Sequence, residues 1–109
     1  MDLHVRVLGE TGALLFVGGR LDAAAAPAFK ARIEELVGQG RVRLVCDLTN
    51  VEFLDSSGSA ALVSGLTAAR ERGGFLKVVG ANEPVARSFR STRLDRVFEL
   101  YPSVQAALA

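Results

Sequence analysis

The sequence predicts an α/β fold: a mixed, mostly parallel β-sheet of four to five strands, opened by a β-hairpin and covered by about four helices. Short apolar runs alternate along the chain with longer segments whose apolar residues have helical spacing. This alternation is typical of parallel strands joined by helices. The length of 109 residues suits one domain spanning residues 1–109.

The first two strands are expected to form the hairpin. Residues 3–7 alternate between apolar and polar side chains, which predicts a half-buried strand. The nearly continuous apolar run 13–17 predicts a second, more buried strand that ends at Gly18 and Gly19. Only the turn 9–12 separates the two runs, so we expect them to pair as antiparallel neighbours.

Three further strands are expected after this hairpin. Residues 42–48 alternate as a third strand, followed by a short bridging segment at 51–54. The apolar run 75–79 predicts a fourth strand. Residues 97–100 predict a short strand at the edge of the sheet.

Four helices are expected between and after these strands. Pro27 fits the first turn of the first helix, and the apolar residues between 29 and 37 share one face of it. The expected starting points of the four helices are Asp22, the segment 55–58, Asn82 and Pro102.

The composition excludes several functional classes. Charged residues make up 23% of the chain and the net charge is +1, which argues against direct binding of nucleic acid. One cysteine and one histidine allow neither an intrachain disulfide nor a cluster of cysteine or histidine metal ligands. No apolar run is long enough to span a membrane, and the first residues lack the basic start and the apolar run of a signal peptide. We therefore expect a cytoplasmic protein without membrane insertion and without a metal.

The usual catalytic motifs do not occur in the sequence. There is no phosphate-binding P-loop and no dinucleotide fingerprint, and Ser57 lacks the flanking glycines of a nucleophile elbow. His4 lies on the polar side of a strand, and Cys46 falls on the apolar side of another, as expected for a core residue. We therefore expect no enzyme activity, no catalytic residue and no cofactor.

The segment Asp55-Ser56-Ser57-Gly58 places two hydroxyls where a buried strand leads into a helix. Helix N-termini carry free amide groups and a positive dipole end, which favour an anion or a covalently attached phosphate. The alternative is a simple helix cap, since aspartate and serine are common capping residues. On these residues alone, the cap is favoured.

Four segments together resemble the STAS domain family, and more narrowly its bacterial anti-sigma factor antagonists. The segments are Gly19-Arg20-Leu21-Asp22, Asp47-Leu48, Phe53 to Gly58, and Leu94 to Phe98. The resemblance covers essentially the whole chain. It implies that the unphosphorylated protein binds an anti-sigma factor and so releases a sigma factor.

The resemblance also implies how the protein is switched. In such antagonists the anti-sigma factor is an ATP-dependent serine kinase, and a PP2C-type phosphatase reverses its action. The phosphorylated residue would be Ser56. The expected partner-binding residues are Asp22, Asp55, Ser57, Gly58 and Ser59, with Gly58 allowing close approach of a partner backbone.

Two positions differ from the common pattern of this family. Ser59 replaces a large aliphatic residue, which adds a third hydroxyl beside the phosphorylation site. Arg93 occupies a position that is often glycine, so a different turn is expected there.

Other interpretations remain open at the level of sequence. Arg87, Arg90, Arg93 and Arg96 recur every three residues and form either a solvated face, which we favour, or a surface for an anionic partner. Similar domains serve as cytoplasmic accessory subunits of ABC-type lipid transporters or of anion transporters. A small hydrolase is disfavoured by the lack of a usable histidine. The sequence leaves the oligomeric state open.

Overall fold

The computed structural model describes all residues from 1 to 109 and contains a five-stranded sheet with four α-helices. The elements follow in the order β1 (Asp2–Leu8), β2 (Gly12–Leu21), α1 (Ala26–Gly38), β3 (Arg43–Leu54), α2 (Ser56–Glu71), β4 (Phe75–Val79), α3 (Glu83–Ser91), a single 3₁₀ turn (Leu94–Arg96), β5 (Leu100–Tyr101) and α4 (Val104–Leu108). The predicted α/β fold with its opening hairpin is confirmed.

The strands lie side by side in the order in which they occur in the chain, from β1 to β5. β1 pairs with β2 in antiparallel orientation, whereas β2, β3, β4 and β5 are parallel neighbours. The pairing of β2 with β3 runs from Gly12 opposite Arg43 to Leu21 opposite Leu54. Because these two strands are parallel, their carboxyl ends meet at one edge of the sheet.

The core lies mainly on one face of the sheet. A cluster of 22 buried apolar residues joins that face to helices α1, α2 and α3. On the opposite face, a cluster of four, Leu14, Val45, Val79 and Ala107, fixes α4. Neighbouring residues of β2 alternate between the two clusters, as strand geometry requires. Cys46 is fully buried in the larger cluster, as predicted.

The ends of two strands differ from the sequence prediction. β2 continues through Gly18 and Gly19 to Leu21, with irregular pairing on either side of these glycines. β3 continues to Leu54, so the expected bridging segment 51–54 is part of the strand. In both strands, pairing with the neighbour extends the ladder beyond the point where the apolar alternation stops.

The C-terminal segment also corrects one prediction. The expected strand at 97–100 was wrong: residues 97–99, which follow the 3₁₀ turn, are not in a strand, and the two-residue strand β5 begins only at Leu100. Phe98 is buried against Phe89 of α3, with the ring centroids 5.7 Å apart. This burial takes the segment away from the sheet, and only Leu100 and Tyr101 pair with β4.

Two of the four predicted helix starts agree with the structure, since Asp55 and Asn82 are the N-caps of α2 and α3. The first was wrong: α1 begins at Ala26, because Asp22 accepts hydrogen bonds within the turn that precedes the helix. α4 begins at Val104 with Ser103 as its N-cap, just after the expected Pro102.

Asn82 caps α3 by accepting a hydrogen bond from the Val85 amide at 3.3 Å, and its side-chain amide donates to the Val51 carbonyl at 2.9 Å. Pro27 lies in the first turn of α1. No helix is long and apolar enough to cross a membrane.

Candidate functional site

The candidate site lies where β2 and β3 end and α2 begins. Asp22 directly follows the last residue of β2, and Asp55 directly follows the last residue of β3. Since Leu21 and Leu54 are paired neighbours, the two aspartates are brought to the same edge of the sheet. In open α/β sheets, the crevice outside the carboxyl ends of the strands is the usual binding position.

Asp55 joins the start of α2 to the loop after β2. Its Oδ1 atom accepts a hydrogen bond from the Gly58 amide at 2.9 Å, which makes Asp55 the N-cap of the helix. Its Oδ2 atom accepts a hydrogen bond from the Ala23 amide at 3.3 Å. One carboxylate therefore fixes both segments of the site relative to each other.

Asp22 is held by the backbone of its own loop. Its Oδ1 atom accepts hydrogen bonds from the amides of Ala24 and Ala25, each at 3.1 Å. The bond from Ala25 is the main cause of a lowered pKa of the Asp22 carboxyl, and the Arg20 side chain adds to the effect. The carboxylate is therefore charged at neutral pH, beside the start of α2.

Ser56 and Ser57 begin α2 and differ in exposure. Ser56 is exposed, whereas Ser57 is half-buried. Their backbone amides lie in the first turn, where no preceding helical carbonyl is available to accept them. A negatively charged group on the Ser56 hydroxyl would lie near these amides and near the positive end of the helix dipole.

Gly58 and Ser59, which were expected to take part in partner binding, are both buried. A Cβ atom on Gly58 would lie only 2.1 Å from the Leu21 carbonyl oxygen, so glycine is needed for close packing of α2 against the end of β2. Ser59 is 6% exposed, and its hydroxyl has no hydrogen-bond partner in the protein. Both residues support the site from inside the fold.

The surface around the site contains groups that the sequence did not single out. The Arg20 guanidinium lies over the Phe53 ring, 4.1 Å from its centroid, and its Nε atom is 3.5 Å from Asp22 Oδ2. Phe53 is 38% exposed while Leu54 is buried. The alternation along β2 would have indicated that Arg20 and Asp22 share one side of the strand.

A groove runs from Ser57 between the first turns of α1 and α2. It has a volume of about 490 Å³ and is lined mainly by small side chains. The lining residues are Ala23, Ala26, Pro27, Lys30, Ser57, Ala60, Ala61 and Ser64. Lys30 is its only charged side chain, and this contribution from α1 was not foreseen.

The arginines of the C-terminal half are exposed, as expected of a solvated face. Arg90 forms an ion pair with Glu83 at 2.7 Å. Arg93 has a φ angle of 61°, and no other residue except glycine has a positive φ. The turn expected to differ at Arg93 thus keeps the left-handed backbone that favours glycine.

Comparison with known proteins identifies the family. The family model of the STAS domain matches residues 4–107. The chain belongs to the STAS domain family. An anti-sigma-F factor antagonist of Mycobacterium tuberculosis, RsfB, is 33% identical over 110 residues, which cover 98% of this chain and 88% of that protein.

Solved structures of STAS proteins share the same architecture. An anti-sigma factor antagonist from Mycobacterium paratuberculosis superimposes with a TM-score of 0.86 at 31% identity, covering 98% of this chain and 90% of that one. The Bacillus protein SpoIIAA in its phosphorylated form gives a TM-score of 0.76 at 16% identity, with coverages of 98% and 96%. This last likeness is one of fold alone.

Proposed function

We propose that this STAS protein is an anti-sigma factor antagonist that is switched off by phosphorylation of Ser56. In the unphosphorylated state it binds an anti-sigma factor, which then releases its sigma factor. The observation that carries the proposal is the exposed Ser56 hydroxyl at the first position of α2, in a chain whose relative RsfB is named as such an antagonist. The protein therefore acts as a regulator rather than as an enzyme, in the cytoplasm.

Phosphorylation of Ser56 would change the charge of the site more than its shape. A phosphoserine carries about −1.5 to −2 charges at pH 7. The neighbouring Asp55 and the charged Asp22 already place two carboxylates at this edge, with the Arg20 side chain beside Asp22. The free amides of α2 would accommodate the phosphate within the chain, whereas an acidic surface of a partner would be repelled.

The partner surface that we propose combines the two aspartates with the serines and the groove beside them. Asp22 and Asp55 use part of their oxygen atoms to hold backbone amides, which fixes the direction of their remaining acceptor positions. Ser57 lies at the mouth of the groove. Gly58 contributes by allowing α2 to lie close to β2, and Ser59 is buried next to it. An anti-sigma factor with serine kinase activity and a PP2C-type phosphatase would act at this surface.

The proposal is tested by phosphorylation and binding measurements with the anti-sigma factors of the source organism. We expect mass spectrometry to locate phosphate on Ser56 after incubation with one of them and ATP. Ser56→Ala should bind that factor at least as tightly as the unmodified protein. Ser56→Asp should bind more weakly by about tenfold or more, because it adds a negative charge that repels an acidic partner surface.

The matched control is Ser57→Ala, which removes the neighbouring hydroxyl. It should still be phosphorylated at Ser56. Phosphate found on Ser57 instead, or equal affinities of Ser56→Ala and Ser56→Asp, would contradict the proposal. Absence of phosphorylation and binding with every anti-sigma factor of the organism would contradict it as well.

A further inference from the structure

Strand β1 leaves one long edge of the sheet uncovered. The sheet ends at β1 on one side and at β5 on the other. β5 has only two residues, whereas β1 has seven. The backbone of β1 is bonded to β2 on its inner side, and no turn or loop bonds to it elsewhere. A long uncovered edge presents unpaired amide and carbonyl groups to another strand.

Strand β1 lacks several of the features that usually prevent such pairing. The strand contains no proline and no lysine, and its ladder with β2 is regular from Asp2 to Leu8. A proline, a lysine or an irregularity in the ladder would hinder the addition of a further strand. Val7 is 58% exposed and Met1 is 40% exposed, and both are large apolar side chains at this edge.

The charges of β1 favour one particular register with a second copy of the same strand. In an antiparallel pair centred on His4, Asp2 lies opposite Arg6 of the other copy, and Arg6 lies opposite its Asp2. A two-fold axis gives each such contact twice. Opposite charges facing each other across two strands are stabilising.

The apolar residues of β1 match in the same register. Leu3 faces Val5 of the other copy, and Val7 faces its Met1. Leu3 and Val5 already pack against the main core, so this pairing would extend the apolar face of the sheet. It would also cover the two exposed side chains, Met1 and Val7.

We propose that the protein forms a two-fold symmetric dimer through antiparallel pairing of β1 with β1 of a second copy, centred on His4. The two sheets join into one of ten strands. The candidate site lies beyond the carboxyl end of β2, which is also the end where β1 begins. The two-fold axis therefore directs the two Ser56 sites in opposite directions, and both remain accessible to a partner.

Charge reversal tests the register. Sedimentation velocity over a wide concentration range should show dimer formation by the unmodified protein. Asp2→Arg and Arg6→Asp should each weaken the dimer roughly tenfold, because two attractive pairs become repulsive. The double variant Asp2→Arg/Arg6→Asp should restore it. The control Arg87→Asp makes the same charge change on α3 and should have no effect.

A disulfide provides a second test of the geometry. Directly opposite residues in an antiparallel pair have Cα atoms about 4.5–5.5 Å apart, which is within disulfide range. His4→Cys should therefore give a covalent dimer under mild oxidation, whereas Asp2→Cys should not, since the two copies of residue 2 lie far apart. Cys46 is buried and does not compete.

Three outcomes would overturn the proposal. A protein that remains monomeric at all concentrations would exclude the dimer. Failure of the double variant to regain the affinity lost by the single variants would exclude the pairing of Asp2 with Arg6. Equal cross-linking of His4→Cys and Asp2→Cys would exclude the register centred on His4. None of these results depends on whether Ser56 is phosphorylated.

Discussion

Replacing Gly58 by alanine should destabilise the protein and disturb the candidate site together. The added Cβ would lie 2.1 Å from the Leu21 carbonyl oxygen and 2.8 Å from the Leu54 Cδ1 atom. The first contact is with backbone of β2, which has no rotamer through which it could move away. The N-terminus of α2 must therefore shift outward.

The magnitude follows from two contributions. Forcing an extra methyl group into close packing costs about 1–3 kcal/mol. The shift of α2 also weakens the cap between Asp55 and the Gly58 amide, which is 2.9 Å long and contributes about 1 kcal/mol. The free energy of unfolding should therefore fall by about 2–4 kcal/mol. For a domain of this length, the melting temperature should fall by roughly 10–20 °C.

The assay is urea unfolding followed by circular dichroism, with Gly38→Ala as the matched control. Gly38 is exposed at the end of α1, and a Cβ there would have no neighbour within 4 Å. Alanine at this position should stabilise the helix, by at most about 1 kcal/mol. If Gly58→Ala proved as stable as the unmodified protein, the close approach of α2 to β2 would be refuted as the reason for this glycine.

Three further predictions concern single residues. The Asp22 carboxyl has a pKa below its ordinary value of 3.8, so its contribution to the free energy of unfolding is present above pH 3.8 and is lost as the pH falls through the lowered pKa. The free energy of unfolding of Asp22→Asn should therefore depend less on pH in acid. An acid transition identical to that of the unmodified protein would contradict this. Arg93→Gly should raise the free energy of unfolding, measured in urea, by about 0.5–1 kcal/mol. Glycine removes the strain of the left-handed backbone at φ 61° but adds chain entropy to the unfolded state. Arg93→Ala retains the strain and is the control. Burial raises the pKa of Cys46 to about 12, so a thiol reagent at pH 8 should react only after unfolding; rapid labelling of the native protein would show that the thiol is accessible.

The sequence predicted the hairpin and the helices, because these depend on local periodicity and on capping residues. It misjudged the ends of β2 and β3, because strand length there depends on pairing between distant segments. Leu21 and Leu54 are neighbours only once β2 and β3 lie side by side. No local pattern reports that pairing.

The burial of Gly58 and Ser59 was missed for a related reason. A glycine after two serines is compatible with an exposed turn as well as with a close contact. The lack of space for a Cβ atom between Gly58 and the Leu21 carbonyl decides between them, and this space is a property of the packed helix and strand. The same holds for Lys30, which reaches the groove only because α1 lies against α2.

The order of the strands has a consequence for how the chain folds during synthesis. Each strand from β2 to β5 lies beside the one made just before it, so no strand has to be inserted between two that are already paired. The hairpin of β1 and β2 can form first, and each later strand can add to the open side as it leaves the ribosome. Parallel pairing is slow when the pairing segments are far apart in the sequence. This sequential growth limits the sequence separation between the strands that must pair.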